Sequence, residues 1–290
     1  MKRFDYLAPL SLGEAVTMLS DQPEAVPLAG GTDILVQVKE NHRSVQTFLS
    51  LNRVSEINTY RRVNGSLHIG SRVTTGKIAA DPWIQEELTA LAIGAGLIGS
   101  VQIRNMATIG GNICNASPSA DTAPPLLALD AQAIIVSKHG ERTLPIETFF
   151  LGPGQSALQP GELLEAVIVP GLPANSGSFY LRHTPRAWMD IAVVGVAAVI
   201  TLDDAGAVAA VRLALGAVAP VPMRARTAEA LLIGEIPDDD LIREVGATAA
   251  RESRPIDDLR ASADYRRHLV DVLTQRALRK ALVQASKGAA

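Results

Sequence analysis

Thr108–Asp121 reads TIGGNICNASPSAD: two adjacent glycines, two asparagines, two serines and almost nothing able to build a core. Long segments without secondary structure are uncommon in compact domains unless they are functional or disordered. This one is bracketed by apolar sequence, PWIQEELTALAIGAGLIG (82–99) before it and PPLLALDAQ (124–132) behind it. The pattern predicts a polar loop pinned between packed elements, hence a ligand surface. In this reading the backbone N–H groups of Gly110, Gly111 and Asn112 face the ligand. Thr108 and Asn112 add side-chain donors, and Ser117 and Asp121 bond to hydroxyls, the aspartate as a strong acceptor for a sugar or polyol.

A second glycine-centred stretch lies upstream, LAGGTDILVQVK (28–39). EAVPLAGG reads as a buried strand ending in Gly30-Gly31, and TDILVQVKE as a helix beginning directly after it. Free N–H groups at the positive end of a helix dipole make an anion site, and glycine lets a phosphate approach the backbone. Thr32 supplies a hydroxyl, and Asp33 falls in the first turn, where a carboxylate suits the dipole. A plain strand–helix turn with glycines for geometry is equally open on this stretch alone. Taken together, the two loops suggest a long ligand with phosphates and a polyol. The G-x-G-x-x-G match at Gly94–Gly99 has the wrong context for a dinucleotide fingerprint, because these glycines close a helix instead of joining a strand to one.

Composition narrows the function. The 290 residues carry a net charge of −3 and are 47% hydrophobic, which predicts a globular protein of about two domains. There is no basic excess for nucleic acid. The N-terminus lacks the apolar core of a signal peptide, and the most apolar run, IAVVGVAAVITL (191–202), falls short of the ~20 residues that span a bilayer. The expected location is cytoplasmic, with no membrane span. The single Cys114 excludes an internal disulfide or a self-held iron–sulfur cluster, and the five histidines lack metal-ligand spacing. Redox chemistry would therefore need an organic cofactor. Cys114 itself reads as packing rather than as a nucleophile.

Residues 1–58 read as a small β-α-β unit whose first helix opens on the S-x-x-E capping box Ser11–Glu14. GSLHIGSRVT, AIIVS and ELLEAVIVP read as strands. PGLPANSGS (170–178) marks a domain boundary. Beyond it SFYLRH, IAVVGVAAVITLD and AVAAVRLALGAVA read as antiparallel strands with a DDAG turn, followed by three amphipathic helices. Arg182, Arg186 and Trp188 beside Met189 stay open between cofactor or partner contact and ordinary surface or core.

LAGGTDILVQVK, IGSVQIRNMATIGGNICNASPSAD and YLRHTPRAWMDIA together closely resemble the FAD-binding medium subunit of molybdenum hydroxylases, the group of xanthine dehydrogenases, bacterial carbon monoxide dehydrogenases and related aza-aromatic hydroxylases. The resemblance covers nearly the whole chain. It implies an α+β fold: a two-part FAD-binding domain of the vanillyl-alcohol oxidase type over 1–175 (parts about 1–58 and 59–175), then a small antiparallel-sheet and helix domain over 178–284. It implies that Ala29, Gly30, Gly31, Thr32 and Asp33 hold the FAD pyrophosphate. Thr108, Gly110, Gly111, Asn112, Asn115, Ser117 and Asp121 would contact ribityl and phosphates. Leu164 matches an apolar flavin contact, and Arg182 stands where relatives carry a basic residue near the flavin. Some carbon monoxide dehydrogenases have a tyrosine near the ring at the position of Ile191, so aromatic shielding is not implied here. The cysteine-rich insertion of hydroxybenzoyl-CoA reductases is missing. The implied role is an oxidoreductase subunit that passes electrons from [2Fe–2S] clusters on a partner to an external acceptor. Its implied partners are an iron–sulfur small subunit and a molybdopterin large subunit, as a dimer of heterotrimers. No catalytic side chain and no protein-held metal are expected. A freestanding flavin oxidase or reductase is the alternative.

Overall fold

A computed structural model describes residues 3–187 and 189–286. The chain opens with a three-stranded parallel sheet in the order β1-β3-β2, made of β1 (Asp5–Leu7), β2 (Val26–Leu28) and β3 (Thr47–Ser50). Helices α1 (Leu12–Asp21) and α2 (Ile34–Lys39) make the crossovers that parallel pairing requires. Ser11 caps α1, accepting from Glu14 N at 3.1 Å, while Glu14 reaches back to Leu10 N at 2.7 Å instead of to the cap residue. Helix α2 starts three residues past the glycines, not directly after them.

A five-stranded antiparallel sheet follows, ordered β4-β5-β10-β6-β7. Its strands are β4 (Tyr60–Val63), β5 (Ser66–Gly70), β6 (Gln132–Ser137), β7 (Gly140–Pro145) and β10 (Leu163–Pro170); a small hairpin of β8 (Phe150–Gly152) and β9 (Gln155–Ser156) precedes the last. Alternation in β5 buries Leu67 and Ile69 completely against the helices that separate it from β6. Those helices are α3 (Thr75–Ala80), α4 (Pro82–Glu87), α5 (Thr89–Gly96), α6 (Val101–Arg104), α7 (Ile109–Cys114) and α8 (Ala123–Ala128). The apolar stretch 82–99 forms two helices, not one. Asp81 caps α4 through Ile84 N with Pro82 at its first position, and the chain turns at Leu88 before α5 begins. Gly94 lies in α5, where a Cβ would run into the Asp121 carbonyl and lie 3.0 Å from Pro125. That glycine serves helix packing.

The C-terminal part is an antiparallel sheet of β11 (Ser176–His183), β12 (Val194–Leu202), β13 (Val208–Gly216) and β14 (Met223–Arg224). Three helices follow, α9 (Arg226–Ala230), α10 (Asp239–Glu252) and α11 (Ala263–Ala285); α11 packs on the sheet, and α10 packs on α11 and α9. The DDAG turn joins β12 to β13, with Asp203 Oδ1 accepting from Ala205 N and Ala207 N at 2.9 Å each. Strand β12 is buried on both faces. Val194, Val196, Ala198 and Ile200 belong to the core under α10 and α11, while Ala197 and Val199 join Tyr180, Ala90 and Leu127 in the core of the preceding part. Double burial explains why this strand is an unbroken apolar run.

Arg142 of β7 forks onto Glu162 at 2.7 and 2.6 Å, and Glu162 also accepts from Gln159 N, clamping the approach to β10. These bonds, Arg142 first, hold the Glu162 carboxyl below its usual range. A lowered folded-state value means that the contribution is present above the ordinary carboxylate range and is lost as pH falls through the folded value. Acidification from pH 5 to 3 should therefore lower the melting temperature of wild type more than that of Glu162→Gln. The difference should be worth about 0.5–1 kcal/mol, since Arg142 is partly exposed.

Candidate functional site

A cleft of about 660 Å³ lies between the β2–α2 turn, α7, the start of β10 and the segment 189–191, within the ~300–1,000 Å³ of cofactor and ligand sites. Ala29, Gly30, Gly31, Thr32, Asp33, Thr108, Gly110, Gly111, Asn112, Asn115, Ser117, Asp121 and Leu164 all line it. Arg182 does not.

In the first turn Gly31 has φ +72°, and a Cβ on Gly30 would overlap the Met106 carbonyl oxygen. Both glycines are therefore required by geometry, Gly30 because another backbone segment crosses it. Among the described residues, none of the amides from Gly30 to Ile34 donates a hydrogen bond inside the protein. Asp33 precedes α2, caps nothing with its side chain, and burial pushes its carboxyl upward. The turn offers donors to a ligand.

The second stretch differs from its expected form. Its first half is the helix α7, nucleated by Thr108, whose Oγ1 accepts from Gly111 N at 3.0 Å. Ile109 N donates to Val73 O and Gly110 N to Ser71 O, at 3.0 and 2.9 Å, and Asn112 N donates to Thr108 O. The amides of Gly110, Gly111 and Asn112 are already spent. What these residues give the cleft is close approach, since a Cβ on Gly110 would lie 2.6 Å from Ser71 Cβ. Asn112 Oδ1 accepts from the Thr122 hydroxyl, Asn115 Oδ1 meets Gln37 Nε2 at 3.5 Å across the two glycine stretches, and Ser117 Oγ accepts from Ser119 N at 3.3 Å.

Asp121 is buried. Tyr180 donates its hydroxyl to Oδ1 at 2.9 Å, and Arg182 pairs with Oδ2. Burial lifts this carboxyl to about 6 against the opposing pull of Arg182 and Tyr180. Arg182 thus stands behind Asp121 rather than at the cleft wall. Leu163 and Leu164 supply apolar wall, placed by a register shift between Leu164 and Ala166, and Met189 and Ile191 form the opposite rim. Arg186 pairs with Asp190 on the exposed side; Trp188 lies outside the described residues. Cys114 also lines the cleft, and burial pushes its thiol up to about 12, which keeps it a poor nucleophile.

Two lining residues escaped the sequence reading. Ser71 follows β5 in no motif, and its Oγ is buried without a partner, a donor or acceptor waiting for a ligand. Arg43 sits in the turn after α2 and is the one cation among the described residues that line the cleft. A phosphate-bearing ligand fits this donor set: unspent amides, an orphan hydroxyl and a cation, with an acceptor and apolar wall for the remainder. No group of three or more acidic, histidine or cysteine side chains suited to a metal occurs among the described residues.

Family models decide between the remaining readings. Residues 2–172 match the FAD-binding domain of molybdopterin dehydrogenases, and residues 179–281 match the carbon monoxide dehydrogenase flavoprotein C-terminal domain. The chain belongs to the FAD-binding subunits of the molybdopterin dehydrogenases. A relative in this family, the xanthine dehydrogenase FAD-binding subunit of Escherichia coli O157:H7, is 35% identical over 282 residues, 97% of this chain and 96% of that one. Carbon monoxide dehydrogenase from Hydrogenophaga pseudoflava, in a form lacking the Mo-pyranopterin moiety, contains a chain that superposes with a TM-score of 0.94 at 32% identity, covering 98% of both. Quinoline 2-oxidoreductase from Pseudomonas putida 86 contains another at 0.90 and 29%, covering 100% of this chain and 99% of that one. The α+β architecture and FAD as cofactor accord with this membership. No helix among the described residues is long and apolar enough to cross a membrane.

Proposed function

We propose that this chain is the electron-transfer subunit of a molybdenum hydroxylase complex in the cytoplasm, working with an iron–sulfur subunit and a molybdopterin subunit in a dimer of heterotrimers. The observation that carries the reading is a cleft combining free amides, an orphan hydroxyl and apolar walls in a chain of this family. FAD, when bound, supplies the redox chemistry that links one-electron carriers to a two-electron acceptor. The 1–175 part supplies the cradle, and the 178–284 part supplies Tyr180, Arg182 and the 189–191 rim.

Each residue then has a binding task. Gly30–Ile34 amides, Ser71 and Arg43 take the pyrophosphate; Asn112, Asn115, Ser117 and Asp121 take polyol hydroxyls; Leu164 and Ile191 sit toward the ring. No side chain acts as a general acid or base. A single cysteine cannot ligate a cluster, so electrons arrive from a partner. Exposed Met189 and Ile191, with the Ser117–Ser119 segment on the same cleft, form the surface that the partner covers.

One FAD per chain should bind without a covalent link. Among the described residues no histidine or tyrosine lines the cleft, and the one thiol is held protonated. Acid precipitation of the purified protein should leave all the yellow colour in the supernatant. Flavin that stays with the polypeptide would contradict the assignment of these walls.

A further inference from the structure

Tyr180 is fully buried, yet it ends on a polar atom that faces the cofactor cleft through one intermediary. Its hydroxyl donates to Asp121 Oδ1 at 2.9 Å. Arg182, two residues along β11 and so on the same face of the strand, donates to Oδ2. Asp121 lines the cleft, whereas neither partner does. Gly195 pairs with Arg182 in the β11–β12 register, and a Cβ there would overlap the Tyr180 hydroxyl, with ring carbons at 3.2 Å. Position 195 must therefore lack a side chain for the tyrosine to reach Asp121. A tyrosine kept for volume alone needs neither the acceptor nor that clearance.

We propose that Tyr180 is a positioning residue of the flavin site: together with Arg182 it holds the Asp121 carboxylate charged and aimed into the cleft, where it accepts an N–H or O–H of FAD. The proposal rests on the FAD reading above. Tyr180 and Arg182 are the charged or titratable groups that bear on Asp121, and both favour its ionised form against desolvation. Burial and the neighbouring carboxylate push the Tyr180 phenol well above its ordinary value, so it remains a donor at every pH of interest. Because FAD is taken by the ionised acid, affinity should weaken as pH falls through the Asp121 titration, and Tyr180 should set where that happens.

The test is the FAD dissociation constant of the full chain, read by fluorescence between pH 5 and 8. Wild type is compared with Tyr180→Phe and with 3-fluorotyrosine placed at position 180. Tyr180→Phe should move the midpoint up by about one pH unit, weakening FAD only about twofold at pH 7 but about tenfold at pH 5. Fluorotyrosine, a stronger donor of nearly the same shape, should move it down, and it decides the matter even if the phenylalanine variant folds poorly. Midpoints that stay in place, with any loss of affinity uniform across pH, overturn the positioning role. Failure of wild type to bind FAD at any pH overturns the FAD reading instead.

Discussion

Asp121→Ala should lower the unfolding free energy by about 3–5 kcal/mol, the cost of leaving one member of a buried ion pair without its partner. The guanidinium of Arg182 is 7% exposed, and its counter-charge is the Asp121 carboxylate, itself 8% exposed. Alanine strands that cation and takes the acceptor from a fully buried Tyr180 hydroxyl in the same step. Since this cluster joins β11 to the segment before α8, the variant should also purify with little FAD. The Arg186–Asp190 pair is a built-in contrast. Arg186 is 72% exposed, and Arg186→Ala should leave the urea midpoint where wild type has it. Urea denaturation reads both. In a double-mutant cycle, the cost of Asp121→Ala with Arg182→Met should fall well below the sum of the single losses. Asp121→Ala within about 0.5 kcal/mol of wild type would show that the pair contributes nothing.

Gly30→Ala is expected to abolish FAD binding. The added Cβ would overlap the Met106 carbonyl oxygen, approach its carbon to 2.6 Å and lie 3.2 Å from Ala107 Cα. All three atoms are backbone, so no rotamer change relieves the clash, and either the 29–33 turn or the 105–108 segment must move. Overpacking of this kind costs roughly 1–3 kcal/mol, and here it displaces the amides that face the cleft. Gly13→Ala is the control: nothing lies within 4 Å of the new methyl in α1, and the variant should gain about 0.5–1 kcal/mol. Gly30→Ala that holds FAD at wild-type affinity would remove this turn from the site.

The parts of the fold that were legible in the sequence are those where local pattern and tertiary need coincide. Ser11 and Glu14 cap α1, the DDAG turn joins two apolar strands, and the alternation of SLHIG buries Leu67 and Ile69. Strands β4 and β7 escaped notice because both are polar edges, YRRV and GERTLP, with little apolar alternation to reveal them. The TIGGNIC segment looked like a loop because two glycines oppose a helix. Thr108 and the carbonyls of Ser71 and Val73, the latter two more than 30 positions upstream, satisfy its first amides and override that propensity.

The site was legible as a set of residues but not as a set of roles. Glycine loops advertise a phosphate ligand, yet which amides are free depends on the Ser71 and Val73 carbonyls just past β5, which no local pattern reveals. Asp121 looked like a ligand on a polar loop, whereas its burial comes from Tyr180 and Arg182, some 60 positions away. Ser71 and Arg43 carry no motif and become visible only when the cleft closes around them.

With a single cysteine, this flavin subunit should have no electron source of its own. Native mass spectrometry of the assembly purified through this chain from its own cells tests it most directly. The expected species holds one FAD for each copy of this chain, together with an iron–sulfur subunit and a molybdopterin subunit. A single, partner-free species carrying FAD and oxidising an organic substrate at a useful rate would contradict it.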